Sequence, residues 1–207
     1  MKSIMFYNSK GGSGKSTLAV NLAAYFAQDK IHTTIVDLDP QASSMDWLNS
    51  RPISKPKIHG TTKFNKLQKR SRDSVVIYDL PASLYGNRLV NYIKKANMII
   101  VPVMPSPIDM RAAKDFIQSL RTMGPIIRKR VKIGLVANRC RANTNIFLEL
   151  DEYLVKERGI KYITAFRDNS NYIRSARSGV GIFEMGESMT AQDREEWKPL
   201  IRWIKSN

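Results

Sequence analysis

The chain has 207 residues, of which 43% are hydrophobic and 25% charged, so it can bury an ordinary globular core without covalent cross-links. Its one cysteine, Cys140, excludes an internal disulfide, and no apolar run approaches the ~20 residues that span a bilayer. The formal net charge is +16, with +15 of it between residues 51 and 150, and this favours a polyanionic partner such as DNA, RNA or an anionic membrane surface.

Strand-like apolar runs alternate with helix-like segments along the whole chain. Strands are predicted at Ser3–Tyr7, Thr33–Val36, Val75–Tyr78, Met98–Val103, Val131–Val136 and Tyr162–Ala165. Helices are predicted at Ser16–Gln28, Ser43–Asn49, Leu84–Lys95, Met110–Thr122, Asn145–Lys156, Tyr172–Arg177 and Ala191–Lys205. Apolar strands separated by helices predict right-handed βαβ units, and hence an α/β fold with a doubly wound, mostly parallel sheet and helices on both faces. Such sheets bind ligands at the carboxyl ends of their strands.

The first predicted strand runs into a glycine-rich loop, Lys10–Thr17, which reads Lys-Gly-Gly-Ser-Gly-Lys-Ser-Thr and is followed by a predicted helix. It fits the phosphate-binding P-loop pattern in a relaxed form, with an extra lysine at its start. Lys15 should reach the β- and γ-phosphates, and the Ser16 hydroxyl should hold Mg²⁺. The predicted nucleotide contacts are Gly11, Gly12, Ser13, Gly14, Lys15, Ser16 and Thr17. A chance glycine-rich loop is disfavoured because strand, loop and helix occur in the required order. The first apolar run is followed by this glycine-rich loop and not by a signal-peptide cleavage site, so a cytoplasmic location is predicted.

Three aspartates end predicted strands around this loop. Asp37 and Asp39 follow the second strand at positions i and i+2, which face the same way. Asp79 ends the run Val75–Tyr78 as a Walker B acid, which can bind Mg²⁺ through water. A single aspartate at a strand end is often only a turn or helix-cap residue. Three around one P-loop favour a metal and nucleotide site.

Residues 51–72 are rich in Lys, Arg, Pro and Ser, and one short strand and one short helix, Thr62–Lys69, are predicted there. No linker long enough to divide the chain is found, so residues 1–207 are expected to form a single P-loop ATPase domain. A separate N-terminal DNA-reading domain is not expected, because the first predicted strand begins at Ser3.

The sequence resembles the ParA/MinD family of deviant Walker ATPases over nearly its whole length, and within it the small plasmid-partition ATPases of the ParF type. The matching segments are Lys10–Thr17, residues 37–41, Asp79, Val101–Asp109, and the late run Phe166–Glu184. The chain departs from the family pattern after two of these motifs, with Leu80-Pro81-Ala82 and with Ala42-Ser43-Ser44, and neither change removes a predicted ligand.

The resemblance implies ATP and Mg²⁺ as cofactors and a homodimer, or a higher polymer, formed on ATP. It implies that Lys10 crosses the dimer interface to the partner's phosphates, that Asp39 positions the attacking water, and that Asn138 reads the adenine edge. The segment Pro102–Asp109 should lie by the nucleotide and the dimer interface. The implied sites are catalytic Lys10, Lys15 and Asp39; metal-binding Ser16, Asp37 and Asp79; and nucleotide-binding Asn138 and Pro107.

The partner surface is predicted to be DNA, and a membrane is not expected. The C-terminal helix carries an apolar stripe, but its other positions mix acids with bases, so packing on the sheet is favoured over membrane insertion. Basic clusters lie at residues 128–132 and at Arg139 with Arg141. The candidate DNA-binding residues are Arg128, Lys129, Arg130, Arg167, Arg174 and Arg177. For any one of them, a solvated surface role is equally expected.

The leading hypothesis is a partition ATPase. ATP would dimerise it on non-specific DNA, and a small centromere-binding or adaptor protein would stimulate hydrolysis and release, with the protein cytoplasmic and nucleoid-associated. The alternatives are a positioning ATPase for another cargo, such as carboxysomes or chemoreceptor clusters, and a MinD-like membrane-surface regulator. A metabolic P-loop enzyme, such as a dethiobiotin-synthase-like ligase or an iron–sulfur reductase, is disfavoured by the single cysteine and by the lack of a small-molecule motif.

Overall fold

One seven-stranded sheet organises the residues described by the computed structural model, which are 1–63, 73–122 and 130–207. The strands are β1 Lys2–Phe6, β2 His32–Asp37, β3 His59–Thr61, β4 Ser74–Asp79, β5 Met98–Val103, β6 Lys132–Cys140 and β7 Lys161–Arg167. Their order is β3-β2-β4-β1-β5-β6-β7, and each neighbouring pair is parallel. The predicted doubly wound parallel sheet is therefore confirmed. The carboxyl ends of β1, β2 and β4 lie side by side, which brings together the three loops that carry the predicted site.

Helices cover both faces of this sheet. They are α1 Lys15–Gln28, α2 Ser43–Asn49, α3 Gly86–Ile93, α4 Pro107–Thr122, α5 Asn145–Lys156, α6 Ser170–Ser178 and α7 Glu187–Ser206, with a 3₁₀ turn at Ile182–Glu184. One core lies between the sheet and α1, α2 and α7, and the other lies between the sheet and α3, α4 and α5. The central strands β4 and β5 are buried at every position, which explains why their sequences read as continuous apolar runs.

The predicted elements differ from the observed ones mainly at their ends. Helix α4 begins at Pro107, three residues before the predicted start, because Pro107 occupies the first helical position and the Ser106 hydroxyl accepts a 3.1 Å bond from the Asp109 amide. Strand β6 continues to Cys140, four residues past its predicted end. The short strand expected among residues 51–72 corresponds to β3. The helix predicted at Thr62–Lys69 lies largely outside the described residues.

The C-terminal helix α7 packs its apolar stripe inside the fold. Trp197, Leu200 and Ile204 are fully buried, and the Trp197 ring lies 4.8 Å from the Phe166 ring on β7. Lys2, at the start of β1, donates hydrogen bonds to the carbonyls of the last helical turn. The predicted packing of this helix against the sheet is confirmed. Within the described ranges, no helix combines the length and apolarity needed to cross a bilayer.

Trp197→Ala should lower the free energy of unfolding by about 3–5 kcal/mol, because it leaves a large cavity beside Phe166. Chemical denaturation followed by circular dichroism measures this. The control is Val155→Ala at a position that is 66% exposed, where a change of about 0.5 kcal/mol or less is expected. Equal losses in the two variants would contradict the buried position of α7.

Candidate functional site

The glycine-rich loop connects β1 to α1 at the carboxyl edge of the sheet. Gly12 and Gly14 have φ values of 78° and 88°, which only glycine adopts without strain. A Cβ on Gly14 would also lie 2.1 Å from the Asn138 side-chain nitrogen. Gly14 is therefore required both by its backbone conformation and by its close approach to β6. Helix α1 starts at the next residue, so its free N–H groups and its positive dipole end face the loop.

Lys15 carries the buried cation of this loop, with a residue exposure of 6%. Its Nζ donates a 3.1 Å hydrogen bond to the Lys10 carbonyl. Burial lowers the pKa of Lys15, and the charges of Asp79, Asp39 and Asp109 oppose that shift. The ammonium thus sits among carboxylates at the point where α1 begins.

Lys10 has a different environment. Its amide donates to the Asn8 side chain at 2.9 Å, which fixes the backbone, while the residue itself is exposed. Two lysines of one loop therefore point to different surroundings, one buried and one in solvent.

Asp37 uses its carboxylate to hold the start of α2. One oxygen accepts a 3.1 Å bond from the Asp39 amide, and the other accepts 3.0 Å bonds from the amides of Ser44 and Met45. Burial raises the pKa of Asp37, and these three amide bonds act against the shift. Asp37 therefore caps the start of α2, which is the alternative role expected for a single aspartate at a strand end. Its predicted metal role stays a prediction.

Asp79 ends β4 with a fully buried carboxylate. Its Oδ2 accepts a 2.7 Å bond from the Ser44 hydroxyl, and its Oδ1 has no partner of standard geometry among residues 1–63, 73–122 and 130–207. Burial raises the pKa of Asp79 to about 6, while the hydroxyls of Ser44 and Ser16 act to lower it. The unpartnered Asp79 oxygen, with serine hydroxyls beside it, offers the hard oxygen ligands that Mg²⁺ prefers.

Ser44 is the functional contact that sequence reasoning missed. It lies in the segment Ala42–Ser44, which the family resemblance marked as a departure, and it links the loop after β2 to Asp79. The sequence shows only that this segment departs from the family pattern. The contact between Ser44 and Asp79 could not be predicted, because it depends on β2 and β4 being neighbours with Asp37 beside Asp79.

Two cavities meet at the glycine-rich loop. The first, of about 510 Å³, lies over the loop and is lined by Gly11, Gly12, Gly14, Lys15, Ser16, Thr17, Asp39, Pro40, Gln41, Ser43, Pro81, Ala82, Ser83 and Arg139. The second, of about 360 Å³, is lined by Thr17, Asn138, Arg139, Arg167, Asp168, Asn169, Tyr172, Ile173, Ala176 and Arg177. The first offers amides, a cation and carboxylates, and the second offers an aromatic ring and aliphatic carbon. Together they provide one compartment suited to the phosphates of a nucleotide and one partly apolar compartment suited to its base.

Asp39 and Asn138 line different cavities. Asp39 lines the first cavity, and its Oδ1 accepts a 3.0 Å bond from the Gln41 amide. Asn138 lines the second, and its side-chain nitrogen donates a 2.8 Å bond to the Ser13 carbonyl. Pro107 begins α4 and is not among the residues lining either cavity, whereas Asp109 in the same turn is buried close to Lys15.

The predicted DNA-binding residues that the structure describes lie at different places on the fold. Arg128 and Lys129 lie outside the described residues. Arg130 precedes β6 at the amino edge of the sheet, opposite the glycine-rich loop, while Arg174 and Arg177 are exposed on α6.

Arg167 is largely committed within the fold. Its Nε donates a 2.7 Å bond to buried Asp193, and its Nη1 donates to Gln192. Burial acts to raise the pKa of Asp193, but the bonds from Arg167, Asn171 and Asn169 bring it below its usual range. These contacts do not support the prediction that Arg167 binds DNA together with the exposed arginines.

Residues 4–182 match the family described as the CobQ/CobB/MinD/ParA nucleotide binding domain. The chain belongs to this family.

The proteins that this chain resembles have different described roles. The chain is 26% identical over 191 residues to the Maintenance of carboxysome distribution protein A of Halothiobacillus neapolitanus, covering 86% of this chain and 85% of that protein. In structure it is similar to a plasmid partition protein of Borrelia burgdorferi B31 bound to AMPPNP, with a TM-score of 0.75, 15% identity, and coverage of 97% and 98%. It is also similar to the septum site-determining protein MinD of Pyrococcus horikoshii with Mg-ADP, with a TM-score of 0.70, 14% identity, and coverage of 92% and 91%. These structural likenesses establish the ParA/MinD fold.

Asp79 should make the stability of the nucleotide-free protein depend on pH. Its pKa is about 6 in the folded chain, against 3.8 ordinarily, so between about pH 4 and pH 6 the folded state keeps a proton that the unfolded state has released. Stability contributed by this group therefore falls as pH rises through that window. Asp79→Asn, measured in EDTA, should match the wild type near pH 4 and exceed its free energy of unfolding at pH 7 by about 2 kcal/mol.

The control for this pH experiment is Asp115→Asn, which alters an exposed carboxylate on α4. It corrects the comparison for the change of a surface carboxylate to an amide. A difference between Asp79→Asn and the wild type that does not change with pH would contradict the raised pKa of Asp79.

Proposed function

We propose that the protein is a ParA-type ATPase that binds ATP and Mg²⁺, forms a homodimer on ATP, and carries DNA or a DNA-tethered cargo. The observation that carries the proposal is the two-lysine loop: Lys15 is buried among carboxylates beside α1, while Lys10 is exposed on the same loop. Because Lys10 is exposed, its ammonium is available to a phosphate outside its own subunit.

The nucleotide is proposed to lie across the two cavities, with its phosphates over residues 11–17 and its base beside Asn138 and Tyr172. A metal beside the phosphates is supported by Asp79, whose buried Oδ1 has no partner of standard geometry among the described residues. Ser16 and Asp79 would hold Mg²⁺, which would neutralise negative charge on the β- and γ-phosphates.

Hydrolysis is proposed to depend on residues that flank the γ-phosphate position. The half-buried Asp39 carboxylate lines the phosphate cavity and would orient the attacking water. Lys10 would extend to the phosphates of the partner subunit and stabilise charge there. ATP would in this way join two subunits, and its hydrolysis would separate them. Residues 1–207 are treated in this proposal as one domain.

The surface to which the dimer binds is proposed to be non-specific DNA. The basic excess in the chain and the exposed pair Arg174 and Arg177, one helical turn apart on α6, support this choice. A small centromere-binding or adaptor protein would stimulate hydrolysis, and the protein would be cytoplasmic and nucleoid-associated. A MinD-like membrane role is less well supported, because the apolar stripe of α7 is buried.

A positioning role for another cargo is the second candidate. It is favoured by the similarity over 86% of the chain to a carboxysome distribution protein. The nucleotide site would act in the same way in both cases, so the two roles differ in the adaptor that the dimer recognises. Pull-down with candidate adaptors encoded beside the gene would separate them.

DNA binding should require ATP and an intact P-loop. In electrophoretic mobility assays with a random-sequence duplex, the wild type with ATP and Mg²⁺ should bind at least roughly tenfold more tightly than with ADP. Lys15→Ala should abolish that difference, because it removes the cation that contacts the β- and γ-phosphates.

Lys156→Ala is the matched control for this assay, since it removes an exposed lysine that is paired with Glu152 on α5. It should bind DNA as the wild type does. Tight DNA binding that ignores the nucleotide in all three proteins would contradict the proposed switch.

Asp39→Ala should separate ATP binding from hydrolysis. ATP affinity should change little, while turnover should fall by roughly 10²-fold or more, because the group that orients water is lost. Phosphate release and fluorescent-nucleotide binding measure the two quantities. Asp46→Ala, an exposed acid on α2, serves as the control and should retain turnover. Normal turnover in Asp39→Ala would exclude the assigned role.

A further inference from the structure

Arg139 stands in an unusual position at the end of β6. From Ala137 to Cys140 the chain advances three residues, while the paired residues on β7, Ala165 and Arg167, are two apart. One extra residue is thus accommodated in β6 as a bulge. Arg139, inside this bulge, has a φ of 52°, in the left-handed region that a long side chain rarely adopts.

The bulge sends neighbouring side chains in different directions. Asn138 is buried and donates to the Ser13 carbonyl, and Cys140 is buried in the core beneath α5. Arg139 between them is exposed at the carboxyl edge of the sheet. Backbone strain of this kind is retained where the surrounding structure imposes it, and it is concentrated at ligand sites.

The Arg139 side chain borders three cavities at once. It lines the phosphate cavity and the base cavity, and it also lines a groove of about 350 Å³ between the ends of β5 and β6. It therefore stands where the two nucleotide compartments meet. Across the described ranges, the Arg139 guanidinium has no hydrogen bond or ion pair, whereas that of Arg141, two residues later, is paired with Asp168 at 3.0 Å.

We propose that Arg139 binds the nucleotide of its own subunit at this junction, contacting the α-phosphate and the ribose. This inference rests on the proposed function and adds a ligand to the same site. A guanidinium presents several N–H donors in a fixed plane, which suits phosphate and hydroxyl oxygens together. The sequence grouped Arg139 with Arg141 as a basic cluster for DNA, but the bulge gives the two side chains different surroundings.

Arg139→Ala should weaken binding of both ATP and ADP by roughly tenfold, because the α-phosphate and the ribose are common to the two nucleotides. Titration with fluorescent N-methylanthraniloyl ATP and ADP measures the two affinities. Arg141→Ala is the matched control, since it removes an exposed arginine just after β6 that lines the groove and neither of the two nucleotide cavities, and its nucleotide affinities should equal those of the wild type.

Arg139→Gly tests the backbone independently of the ligand. Glycine adopts the left-handed conformation without strain, so the melting temperature without nucleotide should rise above that of the wild type and of Arg139→Ala. Its nucleotide affinity should nevertheless be as low as that of Arg139→Ala. Arg139→Lys should recover part of the affinity, because it keeps the charge but not the fork of donors.

Three results would overturn this inference. Arg139→Ala could retain both affinities within about twofold, it could weaken ATP alone, or it could weaken DNA binding with nucleotide affinity unchanged. In each of these cases the wild type still binds ATP, so the proposed function is left standing. Failure of the wild type itself to bind either nucleotide would instead overturn the proposed function and this inference with it.

Discussion

Lys15 brings an ammonium group into the protein interior, where an isolated charge is costly. The fold supplies carboxylates nearby at the ends of β2 and β4 and in the first turn of α4. Buried acids at this edge also need hydrogen bonds. Asp79 accepts from the Ser44 hydroxyl, and its neighbour Asp37 accepts from three amides. Lys15 is thus offset by nearby carboxylates, while Asp37 and Asp79 are held by hydrogen bonds.

Asp79 shows that this arrangement is incomplete without a ligand. Its raised pKa reflects a buried carboxylate with one satisfied oxygen and one that lacks a partner among the described residues. A bound divalent cation would favour the ionised form and remove the cost of burying it. The stability of the chain and its occupancy by nucleotide and metal are expected to be linked for this reason.

The nucleotide site is tied to the basic helix α6 by buried polar contacts. Asn21 on α1 accepts a 2.8 Å bond from the Ile182 amide and a 3.4 Å bond from the Ser175 hydroxyl on α6. Arg51, just after α2, forms a buried ion pair with Glu184 in the 3₁₀ turn. Both helices that begin at the nucleotide site therefore support the segment that carries the exposed arginines.

The sequence by itself determined the alternation of strands and helices, the P-loop and the three strand-end aspartates, because these depend on local patterns and on turn chemistry. Only the tertiary structure decided which hydrogen-bond partners each acid has. Asp37 and Asp79 are both acids at the carboxyl ends of neighbouring strands, and the register of β2 with β4 places them side by side. Ser44 donates its amide to Asp37 and its hydroxyl to Asp79, and Asp37 accepts from two further amides. Arg167 and Arg139 likewise look alike in sequence, but one meets buried Asp193 and the other is turned by a bulge toward the nucleotide cavities. These outcomes depend on contacts between residues far apart in the chain, which no local pattern records.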